Sequence, residues 1–331
     1  MSLRSQFVGL LTKISQEGPS IAAKTVRDFL TYRLYQRFQV NDGLLLKEIQ
    51  GSRMYLNVND PGMARGLAIH GTHEQLHTRV IRQELEEGMV VLDIGANIGY
   101  YVLMEASIVG ERGTVYAMEP CPRNAALLSR NVELNGYSGI VQTYRMAASD
   151  KSGKATLYLS KKWSQHTMLN PEEYDYHADT MTDRCIEVPA TTLDDFLEDK
   201  KAVGLMRMDV EGHEIEILDG MRKTLGSDKA PAKILFETHP WGYAPNRSLK
   251  PRLEMLLSCD YEPKAILVYH GMRPEALVEL GYEPEIVMRI GMGQASYRVS
   301  ADDFIKLECP PNPLAATPHW ILLQKPLHMY I

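Results

Sequence analysis

Cysteine is scarce in the 331-residue chain: Cys121, Cys185, Cys259 and Cys309 stand far apart, with no C-x-x-C pair. That spacing suggests neither a zinc site nor a disulfide framework and points to a reducing, cytoplasmic compartment. No apolar run approaches the ~20 residues of a membrane span, so no transmembrane segment is expected. Lys13, Gln16 and Glu17 interrupt the early apolar pattern before a signal-peptide core can form. Positive charge is not in excess either, since 36 Lys and Arg stand against 42 Asp and Glu, a formal charge of −6. Nucleic-acid binding rests mainly on cations against phosphate, so no nucleic-acid partner is expected. The hydrophobic content of 44% is that of an ordinary globular protein. The length allows one elaborated domain or two.

Leu3, Phe7, Leu10, Leu11 and Ile14 fall at helical spacing over residues 3–15, and a second helical pattern runs from Ile21 to Phe38 after Gly18-Pro19. The cations Lys24, Arg27, Arg33 and Arg37 of the second pattern would suit an anionic membrane surface. The simpler expectation is two amphipathic helices packed on the main domain or on a partner subunit of a homo-oligomer. Leu44–Ile49 and Arg53–Val58 read as a hairpin around Gln50-Gly51-Ser52. These features place an N-terminal helical and hairpin extension at residues 1–70, ahead of a larger domain at 71–331. A helix from Gly71-Thr72-His73-Glu74 to Glu87 follows, with Thr72 as N-cap and Gly88 as its stop.

The apolar run Met89–Leu92 reads as a buried strand, and it ends in Asp93-Ile94-Gly95-Ala96-Asn97-Ile98-Gly99. Glycines there let the backbone turn tightly and approach a ligand, with a helix over Ile98–Val109 beginning behind them. A dinucleotide loop wants G-x-G-x-x-G, whereas this one carries Asp93 before its first glycine and Asn97 where a glycine is expected. An acid repels a pyrophosphate and suits a ligand bearing an amino group, such as S-adenosylmethionine. The stretch resembles motif I of class I S-adenosylmethionine-dependent methyltransferases, and D-I-G-A-N-I-G-Y-Y resembles the FkbM-type family.

Further strands are expected at Gly113–Met118, Ile140–Ala147, Val203–Met208, Ala232–Phe236, Ala265–Tyr269 and His319–Gln324, most of them separated by helical patterns such as Pro122–Leu134. Such alternation implies an α/β, doubly wound sheet. The resemblance adds the Rossmann-like class I order: a mostly parallel seven-stranded sheet, one strand antiparallel, helices on both faces. Residues 151–190 form an insertion with strand patterns at Lys154–Leu159 and Ile186–Ala190. Between them a stretch bearing Trp163, His166, Tyr174, Tyr176 and His177 suits a lid or recognition loop. The segment 271–318 is rich in glycine and proline and reads as irregular.

Four acids, Asp93, Glu119, Asp209 and Glu237, close predicted core strands, the edge where open α/β sheets bind ligands. Glu119 lies 26 residues beyond Asp93, near where nucleotide folds keep a carboxylate for ribose hydroxyls. R-M-D-V-E-G-H-E (residues 207–214) and F-E-T-H-P (residues 236–240) resemble the FkbM motifs downstream of motif I, so that the likeness covers residues 71–240. By that resemblance the cofactor residues are Glu74, Asp93, Gly95, Ala96, Asn97, Gly99, Glu119, Pro120, Ala147 and Asp209. Glu74 has a simpler account as a first-turn acid on the helix dipole. Tyr100 and Tyr101 belong to the helix core or lie near the cation.

The chemistry expected is SN2 transfer of a methyl group from a sulfonium to a hydroxyl of a small-molecule or glycan acceptor, with a base to take the proton. His239 and Asp209 are favoured for that role, with His213 and Glu237 as further candidates. A divalent metal on Asp209, Glu237 and His239, where catechol-type O-methyltransferases keep theirs, ranks below a metal-free base. No N/D-P-P-Y/F motif and no Pro-Cys pair after the fourth strand occur, so amino-group and pyrimidine-C5 methylation are unsupported. The alternatives are an NAD-dependent oxidoreductase and a non-catalytic S-adenosylmethionine-binding module.

Overall fold

A computed structural model describes residues 19–174, 180–244, 246–269, 274–288, 293–308 and 319–326, with backbone alone for 19–22. The helix expected over 3–15, and Tyr176 and His177 of the recognition stretch, lie outside the described residues. The described chain forms two compact units, one of the residues up to His73 together with Lys161–Ser164, the other of the remainder.

In the first unit, helix α1 (Pro19–Phe38) precedes the antiparallel hairpin β1 (Leu44–Ile49) and β2 (Ser52–Asn57). Gln50 and Gly51 turn the hairpin with φ of 54° and 86°, the doubly positive pair that a two-residue turn needs. Tyr32 of α1 donates its hydroxyl to Val58 O at 3.0 Å, which pins the helix to the hairpin. Helix α2 (Met63–His70) was not expected; Asp60 accepts from Gly62 N and Ala64 N and orders its start.

The second unit begins with α3 (Gln75–Glu84), whose N-cap is Glu74 at φ 40° rather than Thr72. The helix also stops short of Gly88, because Leu85 turns extended to bury its side chain. Then follow β3 (Val90–Ile94), α4 (Tyr100–Val109), β4 (Thr114–Met118), α5 (Pro122–Leu134) and β5 (Val141–Tyr144). The third strand, expected over Ile140–Ala147, breaks at Arg145-Met146. Its last residues, β6 (Ala147–Ala148), join β7 (Gly153–Ser160) and β8 (Met181–Thr191) in a separate three-stranded sheet. There the small Ala147 packs with Cys121, Leu157, Val188 and Ala190.

The chain continues through α6 (Leu193–Phe196), β9 (Leu205–Met208), α7 (Glu214–Asp219), α8 (Arg222–Leu225), β10 (Lys233–Thr238), α9 (Lys250–Ser258) and β11 (Glu262–Val268). The segment expected to be irregular holds α10 (Glu275–Glu279), β12 (Ile286–Met288), β13 (Gln294–Tyr297) and α11 (Ala301–Leu307) before β14 (His319–Gln324). Elements of three to seven residues are too short for periodicity to show among glycines and prolines.

Among the described residues the main sheet runs β12-β13-β11-β14-β10-β9-β3-β4-β5. Strands β5, β4, β3, β9 and β10 are parallel, and β14 inserts antiparallel between β10 and β11. This is the expected order, extended from seven strands to nine by β13 and β12 at the edge. The chain leaves β3 toward β4 and β5, then returns across β3 to β9 and β10. Right-handed crossovers therefore put helices on both faces and open a crevice between the carboxyl ends of β3 and β9.

The two faces differ chemically. Leu92, Met206, Ile234, Ile321 and their i+2 partners join α6–α11 in one apolar core. The opposite face carries Asp93 beside Arg207, and Glu237 beside Trp320, in register on neighbouring strands.

Candidate active site

Gly95 lies in the left-handed region at φ 82°, and a Cβ there would sit 1.9 Å from Asp209 O. Only glycine lets the loop after β3 and the loop after β9 close against each other. Asn97 (φ 52°) and Gly99 (φ 94°) continue the turn into α4. Asn97 N–H donates to Glu119 Oε2 at 2.9 Å and Cys121 N–H to Glu119 Oε1 at 2.8 Å, so the loop fixes the acid that follows β4. Burial raises the Glu119 carboxyl to about 7, against the pull of those two N–H groups. Each of its oxygens keeps a second lone pair, the acceptor set a ribose diol requires. This acceptor set therefore fits the adenosyl end of the expected cofactor.

Asp93 behaves otherwise than its sequence suggests. It is fully buried and accepts from Arg207 Nη1 at 2.9 Å, so its charge is met inside the protein. Arg207 also donates through Nη2 to Asp209 Oδ2 at 3.0 Å and stacks 4.0 Å from the Tyr101 ring centroid and 5.0 Å from that of Trp320. Burial disfavours the guanidinium, but Asp93 and Asp209 hold its pKa above the ordinary value. Tyr101 in turn donates to Glu74 Oε2 at 2.7 Å, and His77 Nδ1 lies 3.1 Å from the same oxygen. Glu74 thus stands at the N-terminus of α3 with its carboxylate turned to Tyr101 and His77, on the face that carries Arg207.

Beyond β10 the base candidates separate. His239 is 4% exposed and sets Nδ1 2.7 Å from Glu214 Oε1. Glu214 is itself fixed by Gly212 N–H at 3.0 Å and the Tyr243 hydroxyl at 3.2 Å. The other ring nitrogen, Nε2, faces Glu211 at 3.7 Å and Glu237 at 3.8 Å. Burial works against an imidazolium here, yet Glu214, Glu237 and Glu211 together raise the His239 pKa well above its ordinary value. Glu237 is likewise raised well above the carboxylate range, by burial and by Asp209, Glu74 and Glu211.

His213, one residue from Glu214, is turned to a different group. Its Nε2 lies 2.9 Å from Ser149 Oγ and its Nδ1 3.3 Å from Glu216. Burial lowers its pKa. As for a metal, ligand atoms of Asp209, Glu211 and His239 lie within 4.8 Å of one another. Glu211 takes the place expected for Glu237, because the turn at Glu211 (φ 51°) and Gly212 (φ 100°) swings it over the strand ends. Thr167 of the insertion anchors that turn by donating to Glu211 O at 2.7 Å. Pro120 follows Glu119 at the same edge, whereas Ala147 sits in β6, paired with Ala190 of β8.

Tyr243, Thr167 and Trp320 carried no signal in one dimension, since their roles arise from tertiary contacts. Arg207, Glu211 and Glu214 stood within the quoted motif, but only tertiary contacts separate their roles from that of His213.

A doubly wound sheet with a glycine loop and a buried acid at its switch point is the arrangement in which proteins of the open α/β class bind ligands. Comparison with known proteins narrows this. Residues 93–263 match the Methyltransferase FkbM domain. "Methyltransferase 1" of Beauveria bassiana is 31% identical over 147 residues, 40% of this chain and 57% of that protein. "Hexuronic acid methyltransferase AglP" of Haloferax volcanii is 28% identical over 156 residues, 46% of this chain and 59% of that one. "31-O-demethyl-FK506 methyltransferase FkbM" of Streptomyces tacrolimicus is 31% identical over 162 residues, 42% of this chain and 61% of that one. The chain thus spans somewhat under two thirds of the length of these relatives. It belongs to the FkbM methyltransferase family. The cofactor of that family is S-adenosylmethionine, and the oxidoreductase alternative falls with that. No helix among the described residues is long and apolar enough to cross a membrane.

Proposed function

We propose that this chain transfers a methyl group to a hydroxyl of a small-molecule or carbohydrate acceptor, with His239 as general base. The observation that carries the reading is the His239–Glu214 pair at the strand ends, with Nε2 directed toward Glu211 and Glu237 beside Asp209. S-Adenosylmethionine, when bound, supplies a methyl group already activated on a sulfonium. Glu119, with the Gly95–Gly99 loop and Pro120, would hold its adenosyl end; Glu74 stands at the N-terminus of α3.

Glu214 accepts from His239 Nδ1–H, so that once the imidazolium has lost a proton the remaining one stays on Nδ1 and Nε2 can take a proton from the acceptor hydroxyl. Glu214 and Glu211 stabilise the imidazolium that results. Asp209, held by Arg207, accepts from a neighbouring hydroxyl of the acceptor and so aligns the reacting one. The names of the Haloferax and Streptomyces relatives, with a hexuronic acid and 31-O-demethyl-FK506, support a hydroxyl acceptor. Asp209, Glu211 and His239 form the metal-binding variant of the same site, with oxygen and imidazole ligands that suit a divalent cation.

The test is radiolabelled methyl transfer from S-adenosylmethionine to a panel of sugars, uronic acids and polyols, with and without EDTA. Label in an ether product that persists in EDTA and vanishes in His239→Gln supports the reading. S-Adenosylmethionine binding without transfer to any acceptor supports the non-catalytic module. EDTA-sensitive transfer moves the role to the metal variant.

A further inference from the structure

Helix α1 packs through one side only. Thr25 and Tyr32 are buried, and Gln36 Nε2 donates to Val58 O at 3.3 Å, so the helix is seated firmly on its hairpin. The other side is exposed yet not polar: Leu30 is 55% exposed, Leu34 56% and Phe38 70%. At helical pitch these three lie within about 80° of one another. The cations Lys24, Arg27, Arg33 and Arg37 are exposed among and beside them, and Arg33 spends only one donor on Gln36. The helix carries four cations to one anion, Asp28, although the chain as a whole carries −6. Asp28 is itself paired with Lys47 at 2.8 Å. Next to this face a groove of about 480 Å³ is lined by Lys24, Arg27, Thr31 and Lys47, with Asp28 and Glu48. The same face of a second copy would bury the leucines and phenylalanine but set arginine against arginine, since the one acid of the helix, Asp28, is paired with Lys47. A bilayer rich in anionic headgroups answers both at once.

We infer that α1 is a docking face for an anionic lipid surface. Leu30, Leu34 and Phe38 enter the boundary between headgroups and acyl chains, while Arg27, Arg33, Arg37 and Lys24 meet lipid phosphates. The contact is peripheral, since the helix lies along the surface and does not span it.

The test is flotation of the full chain with vesicles of phosphatidylcholine alone and of phosphatidylcholine with phosphatidylserine. Binding is expected only to the anionic vesicles and should weaken with added salt. Arg33→Gln with Arg37→Gln should lower the bound partition roughly thirtyfold. Leu30→Gln, Leu34→Gln and Phe38→Gln together should abolish it while circular dichroism stays unchanged, because all three side chains are exposed. Failure to float with anionic vesicles, or equal binding to neutral ones, overturns the inference. So does a dimer in light scattering that the triple variant dissociates, which would assign the face to a second copy.

Discussion

Replacing Glu119 by Gln removes one ionisation from a buried place and keeps the shape. In the folded chain this carboxyl, 5% exposed, is raised from an ordinary 4.5 to about 7, chiefly by burial. Each tenfold change in proton affinity corresponds to about 1.4 kcal/mol, so the ionised form at this place costs about 3 kcal/mol relative to water. The sign follows from proton linkage. Between its unfolded and folded pKa values the folded chain binds more protons, so the stability from this group is complete below about 4.5 and falls as pH climbs through about 7. Binding runs the other way, because ribose hydroxyls donate best to a carboxylate. Affinity for S-adenosylhomocysteine should therefore rise about tenfold per pH unit up to about 7 and level off above it. In Glu119→Gln the binding curve should be flat and weaker throughout, and the stability difference between about pH 5 and about pH 8 should shrink by about 3 kcal/mol. Calorimetric titration and urea unfolding measure the two halves. Parallel pH curves for the wild type and the variant would refute the assignment of Glu119 to both the proton and the ligand.

Three other outcomes follow from the same geometry. Arg207→Met strands Asp93, which is wholly buried, and should cost about 3–5 kcal/mol in urea unfolding; adding Asp93→Asn should recover part of the loss, and a cost under about 1 kcal/mol would contradict the buried pair. His239→Gln should lower kcat about 10²–10⁴-fold while leaving S-adenosylhomocysteine affinity unchanged. Since Glu214, Glu237 and Glu211 outweigh burial and keep the imidazolium protonated above its ordinary range, wild-type transfer should rise with pH on the alkaline side of 6.5; a rate that saturates below that value speaks against this base. Gly95→Ala sets a Cβ 1.9 Å from Asp209 O in a left-handed residue, and thermal unfolding and ligand titration should both show a severe loss.

Local pattern and chain geometry made much of the fold legible. A buried strand, glycines at left-handed φ and an amphipathic helix are dictated by neighbours in sequence, so β3, the motif loop and α5 are found where the residues put them, as are the hairpin and β14. The acids Glu119 and Asp209 could be placed at strand ends for the same reason. Which charges meet is another matter. Asp93 looked like a ligand contact until register set Arg207 beside it, and Ala147 looked like sheet edge until the insertion's strands captured it. His239 was favoured over His213 for its place at a strand end, and the turn at Glu211 and Gly212 sends Glu214 to the first and leaves the second with Ser149. Burial and pairing across strands separated by a hundred residues decide such roles, because the energy of a charge depends on what surrounds it in space. Local residue pattern alone was enough to locate the strand–loop–helix unit and the set of candidate side chains. Which of them meet, and which are buried with a counter-charge, was set by the tertiary structure, because those contacts join strands far apart in the chain.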